Sequence, residues 1–325
     1  MSPSTFFRLF THLQIMPILE SGEETLVGGQ AVMEGVMMRA PHSYCVAVRK
    51  PDGEIVTEEA PLARMSEQYK IFKYPIFRGI GTLYQALKLG GRALKFSASV
   101  IEVPGEKGQP AKELPGWAMA APVVLSLAFF IFMYKFLPLF LVDRLAAIYP
   151  VLKGHVANSG GAGIIRLLIL LTLLYVISRF KDIRRVFEYH GAEHKVVFNY
   201  EAGQPVTVEN AQKYTTFHPR CGTSFLFVVF TLAIPIYAVL PFTGFAARLA
   251  SQVVLTPVIS GIAYELIRFA AKRQGSFMAL LTAPGLWMQR ITTKPPADDQ
   301  AAVAIHALEG AMALEKSQGG ELVIA

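Results

Sequence analysis

The sequence predicts a polytopic α-helical membrane protein, with about four membrane-crossing helices and a small β-rich N-terminal unit on the cytoplasmic side. Three observations predict it. The 325 residues are 53% hydrophobic with a mean hydropathy of +0.40, above the soluble range, and the surplus lies in a few long runs rather than one core. Lys and Arg crowd beside those runs, as they do on cytoplasmic membrane flanks. Before the first run, short apolar stretches alternate with turn residues in the period of strands.

A formal net charge of +7 suits an anionic partner. No basic stripe interleaved with stacking aromatics occurs, so the expected partner is the bilayer with its anionic lipids, not nucleic acid. Cys45 and Cys221 lie far apart without C-x-x-C spacing, which predicts thiols in a reducing compartment.

Taken in order, residues 1–25 read as a flexible lead or short interfacial helix; Arg8 and His12 interrupt its apolar residues, and no cleavage site follows. Residues 26–62 form the β-rich unit. Tyr44–Val48, Pro51-Asp52-Gly53 and Glu54–Val56 read as a hairpin, and the glycine-punctuated run from Gly28 to Arg39 as one further strand with bulges. Residues 63–115 hold an amphipathic helix, Ile76 to Ala98, too charged to span and expected to lie along the membrane, then a linker from Val103 to Pro115.

The membrane domain, residues 116–290, carries spans at about 117–141, 164–178, 224–240 and 253–271. The second is short, and the fourth contains Pro257, Gly261 and Glu265. Arg179, Lys181, Arg184 and Arg185 follow the second span and Lys272 and Arg273 the fourth, whereas the Val142–Gly163 loop has only Arg144 and Lys153. Both termini and the hydrophilic segment 179–222 therefore belong inside. Residues 291–325 read as a partly disordered tail with one helix from Ala301 to Glu315.

The chemistry lies in the inner loop. In Tyr189-His190-Gly191-Ala192-Glu193-His194-Lys195 the two imidazoles are four apart, so on a helix they share a face and can grip one metal ion. Glu193 completes the H-x-x-E-H order of inverzincins, in which the carboxylate is the general base. Catalytic zinc takes three protein ligands plus an open position, and His218-Pro219-Arg220-Cys221-Gly222-Thr223-Ser224 offers His218 and Cys221 as further ligands.

Blander readings stand beside these. Two histidines four apart can merely hydrogen-bond backbone or lipid, and a bound metal could be a structural staple. Cys221 could be a nucleophile activated by His218, but no oxyanion loop is recognisable, so a ligand or a simple buried thiol fits better. Glu265 is either functional within the fourth span, or it snorkels or pairs with Arg268 near the cytoplasmic edge. Glu34 and Arg39 could reach the site from the β unit, or form a surface ion pair.

The strings Gly28–Arg39, Tyr189–Lys195 and His218–Ser224 together resemble the YqhQ-like family of bacterial membrane proteins, and Pro75 to Gly79 with Arg78 is similar to its pattern too. The likeness runs from about Leu26 to Gln289. That family is labelled as predicted metal-dependent enzymes of unknown function. The resemblance therefore implies the bacterial inner membrane and a metal site at His190, Glu193, His194, His218 and Cys221, without naming a substrate.

Three functions remain open. The first is a membrane metallohydrolase or peptidase, with zinc on His190, His194, His218 and Cys221 and with Glu193 as base. The second is a non-enzymatic scaffold or regulator whose β unit recruits a cytoplasmic protein. The third is a carrier, for which four spans are few, so that it would need to form a homo-oligomer.

Overall fold

A computed structural model describes residues 27–101, 116–242, 244–272 and 276–317. The lead at 1–25, the linker at 103–115 and the end of the tail lie outside the described residues. In chain order the elements are β1 (Gly28–Val32), β2 (Gly35–Arg39), β3 (Ser43–Arg49) and β4 (Ile55–Pro61), then α1 (Phe77–Ile101), α2 (Gly116–Ile131) and α3 (Leu137–Ile148). There follow α4 (His155–Ile177), α5 (Lys181–Glu201), α6 (Val208–Gln212), α7 (Gly222–Val239), α8 (Phe245–Val254), α9 (Thr256–Lys272), α10 (Ser276–Thr292) and α11 (Asp298–Ser317).

The strands form one antiparallel sheet in sequence order. The hairpin expected around Pro51–Gly53 is β3–β4, with Val48 opposite Val56 and Gly53 at φ 92°. The Gly28–Arg39 run is a second hairpin rather than one bulged strand: Val32 pairs with Gly35 and the chain reverses at Met33 and Glu34. Glu34 takes φ 52°, and at Gly35 a Cβ would overlap the Ala47 carbonyl oxygen, so the glycine marks close strand approach, not a bulge.

Period-two alternation sends the strands' side chains to opposite faces, and both faces are covered. Val36, Met38, Cys45 and Ala47 pack against Tyr189, Ala192, Val196 and Val197 of α5 and against Val303, Ala304, Ala307, Leu308 and Ala311 of α11. Val32, Met37, Tyr44, Val46 and Val48 pack against Leu89 and Ala93 of α1. The amphipathic helix thus buries one face on the sheet. Its Ser97 hydroxyl donates to the Met33 carbonyl at 2.5 Å. The helix expected in the tail is also longer than 301–315 and is part of the core, because its alanine-rich surface lets it lie close to β2 and β3.

Among the described residues three helices are long and apolar enough to cross a membrane, Val124–Ile148, His155–Ile177 and Gly222–Val239, and a fourth crossing exists if Phe245–Val254 and Thr256–Phe269, bent by 47°, count as one span. The first runs past Leu141 because Asp143 is not a stop; Arg248 holds it at 3.1 Å and Asn158 at 3.0 Å. The second begins nine residues before Ile164, since the polar, glycine-rich stretch is helical. Its small residues permit contact: a Cβ on Gly161 would lie 2.9 Å from Val142, and one on Gly163 would overlap Ile234. The third matches closely. The expected fourth span is broken at Leu255, ahead of Pro257, and α10 had no counterpart in the sequence reading. Tyr134, Leu170, Val229, Phe230, Ala233, Tyr237, Ile259, Ala263 and Met288 form the core of this bundle.

Candidate metal centre

Helix α5 joins the bundle to the sheet. Tyr189, Ala192, Val196 and Val197 face the sheet and α11, which turns the adjoining stripe of His190 and His194 toward the segment before α7 and the end of α10. Their rings lie 4.5 Å apart, centre to centre. Cys221, the N-cap residue of α7, comes to the same point, with its sulfur 3.2 Å from His190 Nε2. One donor atom from each of His190, His194 and Cys221 lies within 4.8 Å of the others.

The second ring nitrogens decide what this cluster offers. His190 Nδ1 lies 2.8 Å from the Thr292 carbonyl and His194 Nδ1 lies 2.5 Å from the Thr216 carbonyl. A carbonyl only accepts, so both Nδ1 atoms carry the proton and both Nε2 lone pairs are free to face the sulfur. That is the orientation metal-ligating histidines take, with the outer N–H fixed by backbone. Tetrahedral zinc with ordinary N and S bond lengths separates its ligand atoms by about 3.3–3.6 Å, so the donor set fits with small rotations. Burial also lowers the His194 imidazole, against Cys221 acting in the other direction, which keeps it neutral as a ligand must be.

Two glycines make the approach possible. On Gly191 a Cβ would overlap the Lys294 carbonyl, so only glycine lets the 292–294 segment lie across α5, where Lys294 N–H donates to the Phe187 carbonyl at 2.9 Å. On Gly29 a Cβ would lie 3.0 Å from the Glu193 carboxyl carbon. Glu193 is buried against β1 and accepts from the Gly29 N–H; burial raises its carboxyl above the ordinary range, opposed by His190, His218 and that N–H. A carboxyl so placed can exchange a proton nearer neutrality than a surface glutamate.

His218 lies beside the cluster, its ring 5.5 Å from that of His194 and 4.5 Å from Phe198. Its Nδ1 accepts from the Arg220 N–H at 3.3 Å, so its proton is on Nε2, which is 3.5 Å from Glu201 Oε2. Its donor atom is not among the three that converge. Burial lowers this imidazole to about 4, with Glu193 opposing. Arg220 pairs with Glu201.

The remaining candidates are elsewhere. Glu34 takes Arg185 and the Tyr189 hydroxyl, on the sheet side of α5. Arg39 donates to Gln85 at 3.2 Å, so Glu34 and Arg39 do not pair with each other. Glu265 pairs with Arg78 of α1, not with Arg268.

Sequence reasoning missed the supports. Gln289, fully buried on α10, accepts from the His218 N–H and donates to its carbonyl, both at 2.7 Å, and Lys195 donates to the Gln212 and Tyr214 carbonyls at 2.7 Å. Backbone acceptors such as Thr216 and Thr292 leave no mark in sequence; the one available signal was Gly191 between the histidines, a costly helix residue that implies a close neighbour.

A family model described as "Protein of unknown function (DUF1385)" matches residues 74–314, a stretch that holds every residue of this cluster and most of the chain. The chain belongs to this family. The "Uncharacterized protein YqhQ" of Bacillus subtilis (strain 168) is 35% identical over 297 residues, covering 89% of this chain and 92% of the relative. No solved structure matches the chain. The likeness inferred from the glycine-rich, H-x-x-E-H and His-Pro-Arg-Cys strings is thus family membership, while the DUF1385 match begins after the sheet.

Proposed function

We propose that this protein is a metal-dependent membrane enzyme of the hydrolase class, a multi-pass protein of the bacterial inner membrane with both termini in the cytoplasm. One observation carries the reading: His190, His194 and Cys221 converge with both outer imidazole N–H groups already committed to backbone carbonyls. Three ligands leave a fourth position open. A divalent ion such as zinc, when bound, supplies Lewis acidity there. Glu193 is the general base that takes a proton from the attacking water and returns it to the leaving group, a role its raised carboxyl suits. Burial keeps His218 neutral beside Glu193, with its proton on Nε2 and available to a bound group. The basic flanks of the apolar helices favour the inside orientation and contact with anionic lipid.

The test is metal content by elemental analysis of detergent-purified protein, then hydrolysis of fluorogenic peptide and ester libraries. One equivalent of zinc, lost in His190→Ala, together with hydrolysis abolished in a still zinc-loaded Glu193→Gln, is the expected result. Metal-free protein with unchanged stability sinks the reading and leaves a scaffold or regulator that docks a cytoplasmic protein. A structural staple is favoured by one observation, that His194 and Cys221 are buried where three distant segments meet. Zinc that stabilises the fold without any hydrolysis selects it.

A further inference from the structure

Helix α1 carries a second apolar surface, turned away from the sheet. Leu89 and Ala93 pack on the strands, whereas Tyr84, Leu87 and Leu94 stand exposed, Leu87 at 69%. The 3-10 turn Lys70–Lys73, which precedes the helix, continues this surface with Tyr69, Ile71 and Tyr74, all exposed. Single exposed apolar residues are ordinary, but a patch of aromatic and aliphatic side chains marks a binding surface.

Two contacts fix the turn against the helix. A Cβ on Gly81 would lie 2.7 Å from the Phe72 ring, so a glycine there lets the ring rest on α1. Ile76, at φ 68°, redirects the chain between turn and helix, and a Cβ on Gly261 of α9 would lie 2.5 Å from its carbonyl oxygen. Beside the turn is an open cleft of about 370 Å³, lined by Gln68, Tyr69, Ile71, Phe72, Tyr84 and Lys88. Its volume falls in the range of small-molecule sites, about 300–1,000 Å³.

Charge decides the occupant. From Gln68 to Ile101 the chain holds Lys70, Lys73, Arg78, Lys88, Arg92 and Lys95 and no Asp or Glu. Arg78 is paired with Glu265 of α9, at 3.1 and 2.5 Å, and the other cations are exposed. That pair also ties α1 to the helical bundle, since Ile259 and Ala263 of α9 lie in the bundle core. A second copy of the chain would set like charges face to face. An anionic bilayer beside the bundle meets the same cations with opposite charge, at the level where tyrosines concentrate.

We propose that this cleft binds the headgroup of an anionic phospholipid of the bilayer, which rests on the reading of the chain as a membrane protein and not on the metal centre. Lys88 supplies the charge, Gln68 and the Tyr69 and Tyr84 hydroxyls supply hydrogen-bond donors, and Ile71 and Phe72 offer apolar surface to the carbons next to the phosphate.

The experiment titrates phosphatidylglycerol or phosphatidylcholine into the full chain in an uncharged detergent and reads bound lipid by native mass spectrometry. The wild type retains phosphatidylglycerol in preference. Lys88→Gln weakens that retention about fivefold, the contribution of one lysine near an anionic surface, and Tyr84→Ala weakens it further. Lys153→Gln, between α3 and α4, removes the same charge and leaves retention unchanged. All three side chains are exposed, so lipid-free melting temperatures stay at the wild-type value. Equal retention of the two lipids, unchanged retention in Lys88→Gln, or an equal loss in Lys153→Gln overturns the site. A lipid-free dimer that Tyr84→Ala dissolves assigns the face to a second copy and overturns it too. Alkaline carbonate extraction of membranes tells this failure from failure of the membrane reading: protein that resists extraction yet shows no lipid preference loses the site alone, and protein that is released loses both.

Discussion

At Gly191 two residue-scale effects oppose each other. Alanine raises intrinsic helix stability by about 1 kcal/mol over glycine, but overpacking costs about 1–3 kcal/mol even when the neighbour is a yielding side chain. Here the neighbour is the Lys294 carbonyl, so the clash wins. Gly191→Ala is expected to lower the melting temperature and to weaken metal binding roughly 10–100-fold, as loss of an outer hydrogen bond to a ligand does; wild-type zinc retention under a chelator series would show that the Thr292 carbonyl is not what orients His190. Gln289→Leu removes both bonds to the His218 backbone and leaves its N–H and carbonyl buried without partners, a loss of about 2–4 kcal/mol. Thermal unfolding of the variant checks it. The histidine pair was legible because a helix puts residues four apart on one face. The carbonyls of Thr216 and Thr292 were not, since any residue type supplies the same acceptor.

Among the elements, α11 is held to the sheet at both ends. Arg49 reaches Asp299 at 3.0 Å near its start, and near its end Glu315 accepts from the His42 N–H at 2.9 Å and the Ser43 hydroxyl at 2.7 Å. Burial opposes ionisation of Glu315, but these donors together outweigh it and hold the carboxyl below its ordinary value. A depressed folded pKa means that the contribution is present above the unfolded value near 4.5 and is lost as pH falls through the folded value. Glu315→Gln is expected to destabilise by about 1–3 kcal/mol at pH 7 and to show a flatter loss of stability below pH 4.5 than the wild type. Parallel acid limbs for the two proteins would refute it. The sequence made the helix itself legible and not its placement. A small-residue surface reads as weakly amphipathic, and only the alternating apolar faces of β2 and β3 show what it covers. The same holds for the start of α4, where glycines that suggest a loop are contact points between helices.

The molecule as a whole is a helical bundle joined to a helix-covered sheet, and the candidate metal centre lies at the joint. Its ligands and their outer hydrogen bonds draw on α5, the segment before α7 and the end of α10, which are tied otherwise by Lys195, Gln289 and the Lys294 backbone. An ion bound there stabilises the folded state by its binding free energy, about 4 kcal/mol at a concentration 1,000 times the dissociation constant. The gain belongs to the joint rather than to either half, because the sheet is enclosed by α1, α5 and α11 through apolar contacts that use no ligand residue. If the proposed ion occupies this centre, removing it is expected to lower the melting temperature and to raise amide exchange in residues 190–200, 214–222 and 289–294, while β2 and β3 stay protected. Hydrogen exchange with and without chelator reads this directly. Loss of protection throughout the sheet would mean that the two halves unfold as one unit, and no change at the three segments would mean that the metal binds elsewhere.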